Sequence, residues 1–208
     1  MKDEQDYIRD ITEMRSMMER SSKFLSLSGW AGIMAGSLAL AGAYIAWRFL
    51  NFNPSGISDA LDTEGNSNDQ LNKLIMLALA VLILASFSAI FFSQQRARRR
   101  GEGIWNSTTR RLLISMLVPL AAGGILILIL VSKGLIGLMA PLSLLFYGLA
   151  LFNASKFTVA EVRTLGFTEI LLGLVACFFI EYSLLIWALG FGIVHIIYGI
   201  YMHYRYER

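Results

Sequence analysis

The sequence predicts an all-α fold: a polytopic membrane bundle of six transmembrane helices, preceded by a cytoplasmic amphipathic helix. Three observations predict it. Apolar residues fill 56% of the 208 positions and the mean hydropathy is +0.58, above the roughly 45–50% apolar usage of soluble domains. The excess is gathered into runs near the ~20 residues that a helix rising ~1.5 Å per residue needs to cross ~30 Å of hydrocarbon. The cationic side chains, finally, gather on alternate connections between those runs.

The chain begins with a polar unit, residues 1–26. Tyr7, Ile11, Met14, Met18 and Leu25 recur at alternating steps of four and three, broken only at Ser21, which reads as an amphipathic helix with a narrow seam. Its charges are of both signs, Lys2, Arg9, Arg15, Arg20 and Lys23 against Asp3, Glu4, Asp6, Asp10, Glu13 and Glu19. A helix drawn to anionic lipid has a strongly basic face instead. The seam therefore points to a protein surface: a second copy in a homo-oligomer, the rest of this chain, or a cytoplasmic protein partner. No cleavable signal peptide is visible, so the first span acts as its own insertion signal.

The transmembrane domain, 27–208, holds spans at about 27–49, 73–93, 112–131, 135–152, 165–180 and 184–204. A soluble helical core would show polar faces at helical spacing, and these runs have almost none. With the amino terminus inside, Arg96, Arg98, Arg99, Arg100, Arg110, Arg111, Lys156, Arg163, Arg205 and Arg208 join the N-terminal cations on the cytoplasmic side. Only Arg48, Lys73 and Lys133 remain outside. This positive-inside bias places both termini in the cytoplasm. The sequence pI of about 9.1 is thus a topology signal, and no nucleic-acid partner is expected, because "RARRR" lies beside a span where lipid headgroups are the nearest anions.

In the first connection Asp62, Glu64, Asn66 and Asn68 alternate as calcium ligands do. Ser67 replaces the turn glycine, however, and Lys73 the bidentate glutamate, so a solvated acidic loop is the reading. Two tight hairpins turn near Lys133 and Tyr182. Thr158 and Glu161 have capping-box spacing, which starts the fifth helix near Val159. The three hairpins carry a weak internal repeat: Gly29, Trp30, Ile33 and Gly36 are spaced as Gly166, Phe167, Ile170 and Gly173, and Tyr147-Gly148 matches Tyr198-Gly199. Rows of small residues, Gly32, Ala35, Gly36, Ala39 and Ala43 on the first span and Ala121 to Gly124 on the third, permit close helix approach.

Two ionisable side chains fall inside apolar spans. Counting equal steps back from a turn at Tyr182–Ser183 sets Glu169 opposite Ile196, next to His195. A lone charge at this depth costs about 2.5–3.5 kcal/mol even on lenient scales, so pairing is expected. The couple has two readings: a ligand or proton site that titrates near neutrality, or interhelical glue that fixes register. Tyr198, one turn from His195, and Tyr147, level with the kink-forming Pro119, complete the candidate site. His203 reads as an interfacial residue and Glu181 as a wet turn residue. Cys177 is alone in an apolar helix and reads as a small hydrophobe. No cofactor and no metal site are expected: the two histidines share one helix, which excludes a bis-histidine haem from opposing helices, and no zinc-protease, nucleotide-loop or Ser-His-Asp pattern occurs.

The stretch "MRSMMERSSKFLSLSGWAGIMAG", Met14 to Gly36, resembles the opening of an uncharacterised family of small bacterial polytopic membrane proteins. The resemblance implies the bacterial cytoplasmic membrane and carries no activity or site. Taken together, the sequence favours a non-enzymatic sensor, regulator or assembly protein that engages a partner through its N-terminal helix. The alternative is a small oligomeric proton-linked transporter or channel built on Glu169 and His195, against which the scarcity of polar lining counts.

Overall fold

The computed structural model describes residues 28–52, 54, 67–99, 105 and 107–207. The N-terminal unit, with its seam Tyr7, Ile11, Met14, Met18 and Leu25, lies outside the described residues, as does most of the acidic first loop. Every regular element among the described residues is helical. In order they are α1 (Gly29–Arg48), α2 (Ser67–Arg99), α3 (Ser107–Ser132), a 3-10 turn (Ile136–Leu138), α4 (Met139–Ala154), a second 3-10 turn (Ser155–Phe157), α5 (Glu161–Phe178) and a composite final rod. The rod joins a 3-10 turn (Ile180–Tyr182), α6 (Ser183–Trp187), a π-helical run (Ala188–Val194) and α7 (His195–Tyr206).

Five helical segments are long and apolar enough to cross a membrane: Gly29–Arg48, Asp69–Arg99, Ser107–Ser132, Ile136–Phe157 and Ile180–Tyr206. The expected span at 165–180 is not among them, because α5 is 18 residues long and carries Glu161, Arg163 and Glu169. Helix α2 outruns its expected bounds of 73–93 at both ends. Polar residues such as Gln94 and Gln95 are good helix formers when water satisfies them, and Lys73 pairs with Asp69 at 2.6 Å one turn back. Helix α5 starts at Glu161 with Ala160 at its N-cap, later than the capping-box spacing implies, because Glu161 turns to Tyr206 and Arg205 instead.

The turn between α3 and α4 is a Schellman motif. Gly134 adopts φ 79°, Leu135 N–H donates to Leu130 O at 2.9 Å, and Gly134 N–H donates to Val131 O at 3.0 Å. Helix α1 lies between α2 and the final rod, while α4 lies between α3 and α5. Helices α2 and α3 do not pack against each other.

The two tightest seams are backbone on backbone. A Cβ on Gly148 of α4 would stand 2.7 Å from both Gly166 O and Ile170 N of α5, and one on Gly199 of α7 would stand 2.6 Å from both Gly29 O and Ile33 N of α1. Three residues earlier on each partner the likeness continues: Gly173 faces Leu145 N, and Gly36 faces Ile196 N. A glycine at each point is therefore a steric requirement. The core sits where α4, α5 and the rod meet, with Leu144, Ala150 and Ala176 fully buried and Leu151, Val162, Leu165 and Met202 clustered below Tyr147 and Tyr198.

These seams separate glycines by role. Gly148→Ala is expected to lower stability by about 1–3 kcal/mol through backbone overlap. Gly124→Ala, where a Cβ meets nothing within 4 Å, is expected to be neutral or to gain up to about 1 kcal/mol from helix propensity. Thermal unfolding in detergent micelles measures both; equal effects would contradict the seam.

Candidate functional site

Helix α5 carries Glu169 on the face it turns to α4 and the rod, and the carboxylate is fully buried. His195 opens α7, immediately after the π-helical run, and is 4% exposed. Its Nδ1 lies 3.0 Å from Gly190 O and 3.3 Å from Glu169 Oε1. Tyr147 Oη of α4 lies 3.0 Å from Nε2 on the far side of the ring. Three helical elements thus converge on one imidazole.

The protonation pattern follows from the partners. Gly190 O only accepts, so Nδ1 carries hydrogen and donates to it. Nε2 then accepts from the Tyr147 hydroxyl while the ring is neutral, or donates to it once the ring is protonated. The Nδ1–H is aimed at Gly190 O, so Glu169 Oε1 stands at ion-pair distance without a hydrogen bond, and neither Glu169 oxygen has a donor among the described residues. A carboxylate so enclosed is tolerable only when neutral or facing an imidazolium. Both arrangements carry one proton and no net charge.

Local sequence explains why the couple fits. A Cβ on Gly190 would stand 2.7 Å from Glu169 Oε2 and from Leu144 Cδ2, so only glycine leaves room for the carboxylate. The wide π turn, with its i to i+5 repeat, brings the carbonyl five residues back beneath the ring. An aromatic pile closes the other side. Trp187 meets Phe191 at 5.1 Å, Phe191 meets Tyr147 at 4.9 Å, and Phe191 stacks on His195 at 5.7 Å and 21°. Trp187 Nε1 donates to Ser143 Oγ at 3.0 Å, tying the pile to α4.

Of the residues singled out from sequence, the structure brings Glu169, His195 and Tyr147 together. Tyr198 is not part of that contact: its hydroxyl is buried without a hydrogen-bond partner among the described residues, and its side chain packs against the cluster of Leu151, Val159, Val162, Leu165 and Met202. Pro119 lies in α3, whose principal neighbour is α4, and Glu181 is exposed. Gly190, Phe191 and Trp187 were not singled out. The signal for them was the paired glycines of "ALGFGIVH" in an otherwise bulky span.

A second polar cluster lies at the arginine-rich end of the bundle. Glu207 Oε1 accepts from Ser28 Oγ at 2.9 Å, from Gly29 N–H at 2.8 Å and from Arg96 Nη1 at 3.0 Å. Its Oε2 pairs with His203 Nδ1 at 2.5 Å, and Arg96 Nη2 donates to Tyr206 O at 3.0 Å. The carboxylate caps the N-terminus of α1, where its charge meets the positive end of the helix dipole. His203 is therefore a network member, packed edge-on against Trp30 at 5.5 Å, and not simply an interfacial side chain. Burial pushes the Glu207 carboxyl up, but the hydrogen bonds from His203, Gly29 and Ser28 and the charge of Arg96 outweigh it and hold it below its ordinary value. Among the described residues no group of three or more His, Cys, Asp or Glu side chains could hold a metal ion.

Compared with protein-family models, with curated proteins and with solved structures, the chain matches none.

A carboxyl depressed by folding stabilises the protein above its unfolded pKa and loses that contribution as pH falls through the depressed value. Glu207→Ala is accordingly expected to cost about 2 kcal/mol at neutral pH, with the deficit shrinking as pH drops below the ordinary glutamate value of 4.5. Melting curves of both proteins across acid pH test this, and a deficit unchanged by acid would contradict the capping role.

Proposed function

We propose that this chain is a non-enzymatic membrane regulator of the bacterial cytoplasmic membrane whose interior responds to protons and whose N-terminal helix engages a partner. The bundle in this reading has six spans in three hairpins, both termini face the cytoplasm, and α5 crosses despite its charges. Glu161 and Arg163 lie at its inner end, where Arg163 rests over the Phe152 ring at 5.2 Å, and Glu169 is neutralised within. The likeness of the Gly148 and Gly199 seams supports an internal repeat of those hairpins.

The observation that carries the reading is the Glu169–His195 couple itself. It holds one proton without net charge. Gaining or losing a proton leaves a net charge in hydrocarbon, at a cost of about 2.5–3.5 kcal/mol or more. Protonation is therefore tied to rearrangement of α5 against the rod. The π-helical run beside His195 is the element that can move, since recovering α-helical geometry there re-aims the ring. The narrow polar contact, wedged between Leu144 and the aromatic pile, suits sensing better than conduction.

The test uses the full chain in lipid nanodiscs. Hydrogen-exchange protection of Ala188–Val194 is expected to change about tenfold or more between acidic and neutral pH, and to lose that response in Glu169→Gln and His195→Leu while both variants still insert. Glu169→Gln should be the milder change, because an amide keeps the shape of the carboxyl and carries no charge to compensate. Protection that responds to pH identically in all three proteins refutes the proton-linked reading. Solute flux into proteoliposomes that depends on Glu169 would replace it with a transporter.

A further inference from the structure

The inner end of α2 presents two opposite faces. Arg96 and Ala97 are buried toward the bundle, where Arg96 is engaged by Glu207 and Tyr206 O. On the outward side Phe91, Gln94, Gln95, Arg98 and Arg99 line a concavity of about 420 Å³. These positions recur at three- and four-residue steps, so they form one stripe. Arg98 and Arg99 make no ion pair among the described residues.

The stripe changes character along its length in one direction. Phe91 belongs to the apolar part of the helix, Gln94 and Gln95 offer amide donors, and Arg98 and Arg99 offer guanidinium forks. From Gln94 to Arg98 the helix rises about 6 Å, comparable to the interfacial layer of about 5–8 Å per leaflet. A phospholipid has the same order: acyl chain, ester carbonyls that only accept hydrogen bonds, then phosphate. A soluble anion would use the arginines alone and leave Phe91 and the glutamines without a role. A second copy seated here would bring its own Arg98 and Arg99 against these two, like charge on like.

We infer that this concavity binds one anionic phospholipid, its phosphate held by Arg98 and Arg99, its ester groups by Gln94 and Gln95, and an acyl chain along Phe91. Arginine forks match phosphate oxygens in pairs, which a lysine cannot do. The inference needs only that α2 crosses the bilayer, and it is independent of the Glu169–His195 couple.

The full chain is purified in mild detergent, titrated with phosphatidylglycerol, and bound lipid is counted by native mass spectrometry. One phosphatidylglycerol is expected to bind per chain, with phosphatidylcholine at least about tenfold weaker. Arg98→Gln with Arg99→Gln is expected to weaken phosphatidylglycerol about tenfold or more. Arg98→Lys with Arg99→Lys, which keeps the charge that orients the chain, is expected to weaken it about threefold. Lys156→Gln with Arg163→Gln removes equal charge at the same end of the bundle and should leave binding unchanged. If that control weakens binding as much as the arginine pair does, attraction is diffuse and the site does not exist. Full displacement by millimolar inorganic phosphate would identify a soluble-anion site, and equal binding of phosphatidylcholine an apolar groove; either overturns the assignment. An arginine pair variant that binds as the wild type does also overturns it.

Discussion

Where Gly148 meets Gly166 and Gly199 meets Gly29, main chain touches main chain with no side chain between, and the interior depends on that closeness. Lipid tails are as apolar as leucine, so helices inside a bilayer gain little from burying apolar surface against one another. What remains is dispersion between well-fitted atoms, individually small and summed over many contacts, together with polar groups that find partners only when helices are close. The glycine seams supply both. They draw α5 to α4 and α7 to α1, and this positions the rod so that His195 can reach Tyr147 on one side and Glu169 on the other.

The two polar clusters manage charge in opposite ways. Glu169 is enclosed by Leu144, Gly190 and the imidazole, with His195 Nδ1 at 3.3 Å as its nearest ionisable neighbour. Glu207 lies at the water-facing end and keeps its charge by collecting donors from three parts of the chain. The contrast follows from position along the bundle normal. Deep in the structure an uncompensated charge is costly, which favours placing an acid and a base side by side. At the end a full negative charge is useful, because a helix N-terminus and a buried arginine both call for one.

Much of the helix plan was legible because hydropathy registers what hydrocarbon demands. Long apolar runs mark α1, α2 and α3, and a count from the turn at Tyr182 places Glu169 beside His195 because both segments rise at nearly the same rate. The same measure misjudged helix ends: it stops where side chains become polar, whereas α2 continues through Gln94 to Arg99 because those residues form helix readily in water. Alone, it also treated the segment at 165–180 as apolar without weighing Glu161 and Arg163 just before it. The π-helical run was invisible, since no residue pattern in hydropathy distinguishes Ala188–Val194 from α-helix. Arg96 and Glu207 were equally hidden. Their pairing depends on which way α2 faces, and a cation read for topology does not announce a carboxylate far along the chain.

Glu207 follows every described helix in the order of synthesis, yet it caps the first of them. As the chain emerges, α1 must enter the membrane with the amides at its start served only by water or headgroups, and Arg96 must cross the same period without its carboxylate. Both are settled only after α7 has been made. The latch therefore closes last: until the final rod is in place, α1 lacks its carboxylate cap and Arg96 lacks its ion-pair partner, so the first and last described helices are joined in a single late step.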